Sequence, residues 1–118
     1  LCGLGVPAHL EGDSLAAAMA DPGKVFKKAA FTQWPKRHRT NPDKVIMAYS
    51  IKTERYRYVE YTHKKSGTVH ARELYDHAND PGENVNVAGN PEHKETVEEL
   101  SRMLAGGRGW KKLRPGRA

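Results

Sequence analysis

The chain has 118 residues, of which 37% are hydrophobic and 29% are charged, so it is long enough for one domain with a modest core. No stretch approaches the roughly 18 consecutive apolar residues of a membrane-spanning helix, which excludes a transmembrane protein. The formal net charge is +6, from 20 Lys and Arg against 14 Asp and Glu.

The positive charge is concentrated in two places. Residues 108–118 contain five basic residues and no acid, and without those five the chain carries 15 basic against 14 acidic residues. The second basic group is Lys36, Arg37, His38 and Arg39. We predict that residues 108–118 form a basic, disordered tail, which is either simply solvated or a handle for polyanions.

Residues 1–22 are typical of the end of another structure, because their apolar residues are interrupted by Gly3, Gly5 and Pro7. A short helix is predicted over residues 15–20, with Asp13 or Ser14 as its cap. Since so short a helix buries little, we expect this segment to pack on a partner domain. In the isolated chain it would pair with a second copy as a homodimer. The start at Leu1 favours a chain cut from a longer protein.

Residues 23–107 are predicted to be one small domain that begins with strands. Residues 25–34 favour a strand ended by Pro35, and residues 35–43 favour a basic loop. Residues 45–53 alternate with a period of two, which is the strongest strand signal in the chain. Their odd-numbered face is apolar, so Met47, Tyr49 and Ile51 are predicted to face the core.

Two more strands follow. Residues 56–63 favour a hairpin partner with a bulge, and residues 64–67 favour a turn. Residues 68–75 favour a further strand, with Val69, Ala71 and Tyr75 on one side.

The last predicted elements are a turn-rich segment and a helix. Residues 76–86 superficially resemble a calcium loop but lack its spacing and its closing Glu, so turn chemistry is predicted instead. Asn90 caps a helix that has Pro91 at its first position, an apolar stripe of Val97, Leu100 and Leu104, and Gly106-Gly107 as its end. The predicted fold class is α+β, a small antiparallel sheet of three or four strands with one C-terminal helix packed across it.

The residues by themselves predict no catalytic centre. Cys2 is the only cysteine, so neither a disulfide within the chain nor a cysteine metal site is expected. The six histidines lack metal-ligand spacing, and no phosphate-binding glycine motif or nucleophile motif occurs. Chemistry alone therefore favours a non-catalytic module.

Three stretches in the same order resemble the C-terminal part of the type I, formylglycine-dependent sulfatases. They are LCGLGVP with LEGDSL at residues 1–15, VIMAYSIKTERYRY at residues 45–58, and ELYD through NDPGENVN at residues 73–86. The segment FTQWPK at residues 31–36, followed by MAYSIKT, is most similar to the iduronate-2-sulfatase branch. The resemblance runs from residue 1 to about residue 105.

This resemblance implies a C-terminal subdomain at residues 23–107, docked on its own catalytic domain, of which residues 1–22 are the tail end. The parent would hydrolyse sulfate esters of sulfated sugars or glycosaminoglycans, using a formylglycine made in a Cys/Ser-x-Pro-x-Arg motif and a calcium ion. Cys2 is followed by Gly-Leu-Gly, so this chain lacks that motif. We therefore expect no catalytic and no metal-binding residue here, and no activity from the chain alone. The parent would be secreted, periplasmic or lysosomal.

The same resemblance brings the loop around residues 33–36 close to the substrate pocket. An indole ring offers an apolar face for a pyranose, and basic side chains offer charge-assisted bonds to sulfate and carboxylate. The candidate substrate-binding residues are Gln33, Trp34, Lys36, Arg37 and Arg39. The alternative interpretation is that Phe31 and Trp34 are core residues and that the basic side chains are solvated.

A second function class is a basic nucleic-acid-binding or interaction module. Three tyrosines, Tyr56, Tyr58 and Tyr61, lie near Arg55 and Arg57 and would suit base stacking. The excess charge lies in the tail and not on these strands, which argues against nucleic acid as the partner.

Overall fold

The computed structural model describes residues 5, 7, 15–23, 27–36 and 45–107. Its centre is a four-stranded antiparallel sheet in the order β1-β2-β3-β4, so each strand pairs with its neighbour in the chain. The strands are β1 (Ala30–Lys36), β2 (Ile46–Lys52), β3 (Tyr56–His63) and β4 (Val69–Asp76). The helices are α1 (Ala16–Ala20), a 3₁₀ turn (Pro91–His93) and α2 (Lys94–Gly107). This confirms the predicted α+β fold, with four strands.

The core lies where α2 crosses one face of the sheet. Ile51, Tyr58 and Leu74 stand side by side on β2, β3 and β4, and all three are fully buried. Leu100 and Leu104 of α2 close this row, which confirms the predicted apolar stripe of the helix. Of the three β2 residues predicted to face the core, Ile51 is buried, whereas Met47 and Tyr49 are only half-buried, because they lie further along β2 from the crossing point.

The face of the sheet opposite α2 also holds buried residues. Ala48, Ser50 and Val59 lie on it and are 5% exposed or less. Larger cross-strand neighbours flank the short side chains, as Trp34 and Tyr61 flank Ala48. Burial in β2 therefore extends beyond the odd-numbered face that was predicted to form the core.

Strand β1 differs from its prediction at both ends. Residues 27–29 precede the strand, and Pro35 lies within it, opposite Met47. Proline has no N–H to donate, but β1 is at the edge of the sheet, where a missing donor is tolerated. Residues 37–43 of the predicted loop lie outside the described residues.

The second helical segment begins as predicted but ends later. The Asn90 side chain accepts a hydrogen bond from the Glu92 N–H at 3.1 Å, and Pro91 follows it. Gly106 and Gly107 were expected to stop the helix but belong to α2. Gly107 packs against the ring of Phe31, and a Cβ at this position would overlap that ring. Its missing side chain thus allows α2 to pass close over β1.

The short helix α1 buries no residue, as expected from its length. Leu15 and Met19 are 60% and 64% exposed. Leu15 takes the cap position without a side-chain hydrogen bond, while the predicted caps Asp13 and Ser14 lie outside the described residues. Within the described part of the chain, no helix is long and apolar enough to cross a membrane.

A β-bulge interrupts the pairing of β3 with β4, but its extra residue lies in β4 and not within residues 56–63, where the sequence suggested a bulge. Tyr61 lies opposite Ala71, but Thr62 lies opposite Val69, so His70 is an extra residue without a cross-strand partner. Because Tyr61 and Thr62 point to opposite faces, so do Ala71 and Val69. The prediction that Val69 and Ala71 share a face was therefore wrong.

Candidate functional site

Trp34 and Lys36 lie on the sheet face opposite α2, near the end of edge strand β1. Trp34 is paired with Ala48, and Ala48 is paired with Tyr61, so the two aromatic residues stand in one row across three strands. Trp34 is 40% exposed, whereas Ala48 between them is fully buried. This end of the sheet therefore presents aromatic ring surface to its surroundings.

Lys36 joins this row through its side chain. Its Nζ lies 5.4 Å from the centroid of the Tyr61 ring, within the range of a cation–π interaction. The Tyr61 hydroxyl donates to Glu73 Oε2 at 3.3 Å, and burial together with the Glu73 carboxylate raises the pKa of Tyr61. Tyr61 is therefore protonated at neutral pH, and the face of its ring contacts the Lys36 ammonium group. We call Trp34, Lys36, Tyr61 and Glu73 the β1-end cluster.

The structure brings together only part of the predicted substrate-binding set. Trp34 and Lys36 share a face, but Gln33 is paired with Tyr49 and points to the side of α2. Arg37 and Arg39 lie outside the described residues. Phe31 and Trp34 are 38% and 40% exposed, so neither is a fully buried core residue.

The β1-end cluster has the chemistry needed to hold an anionic sugar. An exposed indole face covers the apolar C–H groups of a pyranose ring, and an ammonium group supplies three donors to sulfate or carboxylate oxygens. The Glu73 carboxylate faces Tyr61, so it can also accept a bond from a sugar hydroxyl. The cluster has no nucleophile, so it can bind but not cleave.

A second basic surface lies at the other end of β1 and was not predicted as a unit. It is an open depression of about 730 Å³, and the four cationic residues that line it are Lys27, Lys28, Lys52 and Arg55. Lys52 Nζ donates to the carbonyl oxygens of Thr53 and Glu54, at 2.5 and 3.1 Å. Lys52 ends β2 and Arg55 lies in the β2–β3 connection, so only the folded sheet brings them to Lys27 and Lys28.

The carboxylates of Asp76 and Asp80 are engaged in hydrogen bonds, both within residues 76–86 and with Arg55. Asp76 accepts from Arg55, from the Ala78 N–H and from Asn79, while Asp80 accepts from Asn84 and from the Val85 N–H. The bonds from Val85 and Asn84 hold the pKa of Asp80 below its usual range. Since these oxygens are already engaged, they do not fit a calcium site, and the turn prediction is confirmed.

Glu83 completes this loop. Its Oε1 lies 2.8 Å from Arg57 Nε and 2.6 Å from His77 Nε2, and its backbone has a φ of 55°, in the left-handed region. Across the described ranges, no group of three or more His, Cys, Asp or Glu is arranged to hold a metal ion.

The tyrosines near Arg55 and Arg57 do not form a stacking surface. Tyr58 is fully buried in the core, and its hydroxyl donates to Glu60 Oε1 at 2.8 Å. Tyr56 lies on the same face as Tyr58 and packs against the core, while Tyr61 points to the opposite face. The three tyrosines therefore do not share the exposed face that base stacking would require.

Comparison with known proteins gives one family match and several structural neighbours. The family described as N-sulphoglucosamine sulphohydrolase, C-terminal, matches residues 1–108. A protein solved in complex with its substrate D-glucosamine-2-N,6-O-disulfate superposes with a TM-score of 0.70 at 25% identity, covering 96% of this chain and 22% of that one. A search of curated proteins gave no significant match.

Two further neighbours share the fold. A Bacteroides thetaiotaomicron protein from work on the metabolism of multiple glycosaminoglycans has a TM-score of 0.62 at 24% identity, covering 85% of this chain and 22% of its own. The phosphonate monoester hydrolase of Agrobacterium radiobacter has a TM-score of 0.61 at 24% identity, covering 85% of this chain and 21% of its own. The chain thus spans about a fifth of the length of the structures it matches.

Proposed function

Because the chain belongs to the family of N-sulphoglucosamine sulphohydrolase C-terminal domains, we propose that it serves as the C-terminal domain of a sulfatase that hydrolyses sulfate esters of sulfated sugars. The observation that carries the proposal is the family match over residues 1–108, nearly the whole chain. The neighbour solved with D-glucosamine-2-N,6-O-disulfate supports a sulfated sugar as the substrate class.

The proposed division of labour follows from the chemistry that these residues offer. The carboxylates of Asp76 and Asp80 already accept hydrogen bonds, from Arg55 and from the Val85 N–H among others, and no nucleophile motif occurs in the sequence. We place the formylglycine and the calcium of such an enzyme in its catalytic domain, outside these 118 residues. This domain then stabilises the catalytic domain and shapes one side of the substrate pocket.

Within this domain, we propose that the β1-end cluster contacts the sugar. Trp34 covers a pyranose face, and Lys36 binds a sulfate or carboxylate of the same saccharide. Arg37 and Arg39 come one and three positions after Lys36, so further positive charge lies next to Lys36 along the sequence. Gln33 points to the other face of β1, so its proposed part is limited to supporting the strand.

The finer assignment is to the iduronate-2-sulfatase branch, and it rests on the FTQWPK segment followed by MAYSIKT. A 2-O-sulfated uronic sugar carries both a sulfate and a carboxylate, which suits a cluster of neighbouring basic side chains. We propose this sugar as the substrate of the enzyme that contains the chain.

The test is kinetic and uses the full-length enzyme that contains this sequence. Trp34→Ala and Lys36→Met should each raise KM for a sulfated disaccharide about tenfold or more, with kcat nearly unchanged, because they remove binding and not chemistry. The matched control is Lys28→Met, which removes one cation at the other end of β1.

Two outcomes would overturn the assignment of this contact. If Lys28→Met raises KM while Lys36→Met does not, the saccharide binds at the opposite end of β1. If no variant changes KM and all remain folded by circular dichroism, the domain does not contact the substrate.

A further inference from the structure

His63 and His70 meet at the tip of the β3–β4 hairpin. Their ring centroids are 5.2 Å apart, and the ring planes are inclined by 66°. His63 ends β3 and is half-buried, while His70 lies in β4 and is exposed. The two residues are separated by the turn at residues 64–68.

The β-bulge brings the two histidine rings into contact. In a regular ladder His70 would lie opposite Thr62 and share its face, and the neighbouring His63 would point to the other face. The extra residue in β4 breaks this alternation and turns His70 toward His63. Sequence spacing could not reveal the pair, because the two histidines are seven positions apart and neither a helix nor a regular strand brings residues at that spacing together.

From this juxtaposition we infer that His63 and His70 form a two-histidine site for a divalent transition metal, with Zn²⁺ as the reference ion. A zinc ion about 2.1 Å from one nitrogen of each imidazole would lie about 3.2 Å from each ring centroid, and a tetrahedral angle would then place the centroids about 5.2 Å apart. The observed centroid separation has this value. Turning a nitrogen of each ring toward the common point uses χ2, which is a soft torsion for histidine.

The surroundings select the class of metal. The hairpin tip, residues 61–72, contributes no Asp or Glu, whereas calcium and magnesium require oxygen ligands. Imidazole nitrogens suit zinc, copper and nickel. Lys64 and Lys65 lie in the turn and repel a cation, so binding is expected to be modest, with water completing the coordination sphere.

A metal at this position would link β3 to β4 next to the bulge, where the regular pairing is broken. A ligand that binds only the folded chain raises its apparent stability, and the increase grows with the logarithm of the ligand concentration above Kd. The ion would therefore cross-link β3 and β4 at the hairpin tip and stabilise them, and it takes no part in the reaction proposed above.

The experiment is a Zn²⁺ titration of the full 118-residue chain, followed by calorimetry and by the imidazole proton resonances. The variants are His63→Ala, His70→Ala and the double substitution, with His93→Ala as the matched histidine control, since His93 contacts Tyr56 away from the hairpin tip. The chain should bind one Zn²⁺ that shifts the resonances of both rings and raises the thermal midpoint.

Each single substitution in the pair should weaken Zn²⁺ binding at least tenfold. The affinity of the double variant should lie within twofold of that of the single variants, because the loss of either histidine already breaks the chelate. His93→Ala should leave the affinity unchanged. The inference is overturned if the double variant binds Zn²⁺ as tightly as the unsubstituted chain, or if His93→Ala weakens binding as much as His70→Ala. Since His70 is exposed, its substitution leaves the fold intact and keeps the test decisive.

Discussion

Arg55 donates two hydrogen bonds to the carboxylate of Asp76, from Nε to Oδ1 and from Nη2 to Oδ2, each 2.7 Å long. Arg55 lies in the β2–β3 connection, and Asp76 is the last residue of β4. The pair ties two distant parts of the chain together, and the His77 N–H donates to the Arg55 carbonyl beside it at 2.9 Å. Asp76 is 4% exposed, whereas the Arg55 side chain is 52% exposed.

The Arg55–Asp76 pair predicts a specific pH dependence of stability. The hydrogen bonds from Arg55 hold the pKa of Asp76 well below its usual range. A carboxylate with a lowered folded-state pKa stabilises the fold above its unfolded pKa of about 3.9 and loses that contribution as the pH falls further. Asp76→Asn should therefore lower the free energy of unfolding at pH 7, and this difference should shrink progressively below about pH 4.

Denaturant melts of the chain and of Asp76→Asn between pH 2 and pH 7 would measure this difference. Glu54→Gln is the control, because Glu54 is an exposed carboxylate in the same connection. A difference that stays constant across this pH range would contradict the role assigned to the pair.

The helix α2 is held on the sheet by Leu100 and Leu104, which are 4% and 1% exposed. Leu100→Ala should lower the free energy of unfolding by about 2–4 kcal/mol, because it removes buried methyl groups and leaves a cavity. Val85→Ala is the control, since Val85 is 60% exposed and its truncation should change stability by less than about 0.5 kcal/mol. Equal midpoints for Leu100→Ala and Val85→Ala in a urea melt would mean that α2 does not pack at Leu100.

Tyr58 links the core to a buried carboxylate. Its hydroxyl and the Ser101 hydroxyl both donate to Glu60 Oε1, at 2.8 and 2.6 Å, and Glu60 is 3% exposed. Tyr58→Phe should lower the free energy of unfolding by about 1–2 kcal/mol, because Glu60 then loses one donor in a buried setting. A melt at pH 7 gives the value, and no change would mean that the hydroxyl contributes nothing to stability.

The same tyrosine predicts a loss of stability at high pH. Burial, followed by the hydrogen bond to Glu60, raises the pKa of Tyr58 to about 12. The contribution of a group with a raised folded-state pKa is fully present below its unfolded pKa of about 10 and is lost as the pH rises through the folded value. In a spectrophotometric pH titration, Tyr58→Phe should lose the part of the phenolate absorbance that rises near pH 12. If its titration curve is identical to that of the unsubstituted chain, the raised pKa does not belong to Tyr58.

The alternating pattern of β2 and the apolar stripe of α2 were enough to predict the fold and the core residues Ile51, Leu100 and Leu104. The exact extent of β1 could not be predicted, because whether Pro35 ends a strand depends on whether that strand lies at a sheet edge. In the same way, the helical state of Gly107 follows from its contact with Phe31, which is distant in sequence.

The candidate site was predictable only in part. The order Gln33, Trp34 and Lys36 identifies the chemistry, but the strand alternation places Gln33 on the other face from the remaining two. The partners Tyr61 and Glu73 come from β3 and β4, and the histidine pair depends on a bulge. These associations arise from strand register, which a single sequence specifies only weakly before the sheet is known.

The exposed side chains of Leu15 and Met19 support the expectation that residues 1–22 pack against another domain or a second copy of the chain. The 118-residue chain should sediment as a dimer at tens of micromolar, whereas a chain beginning at Lys24 should sediment as a monomer. If both sediment as monomers, these residues do not drive self-association.

The proposed sulfatase function is tested most directly by measuring sulfate release from a panel of defined sulfated disaccharides, using the full-length enzyme and the 118-residue chain side by side. The panel includes a 2-O-sulfated iduronate disaccharide and D-glucosamine-2-N,6-O-disulfate. The full-length enzyme should release sulfate, with the 2-O-sulfated iduronate as its preferred substrate, and the chain alone should release none. Preference for the glucosamine compound would contradict the assignment to the iduronate-2-sulfatase branch. If the full-length enzyme released sulfate from no member of the panel, the proposed sulfatase function would be wrong.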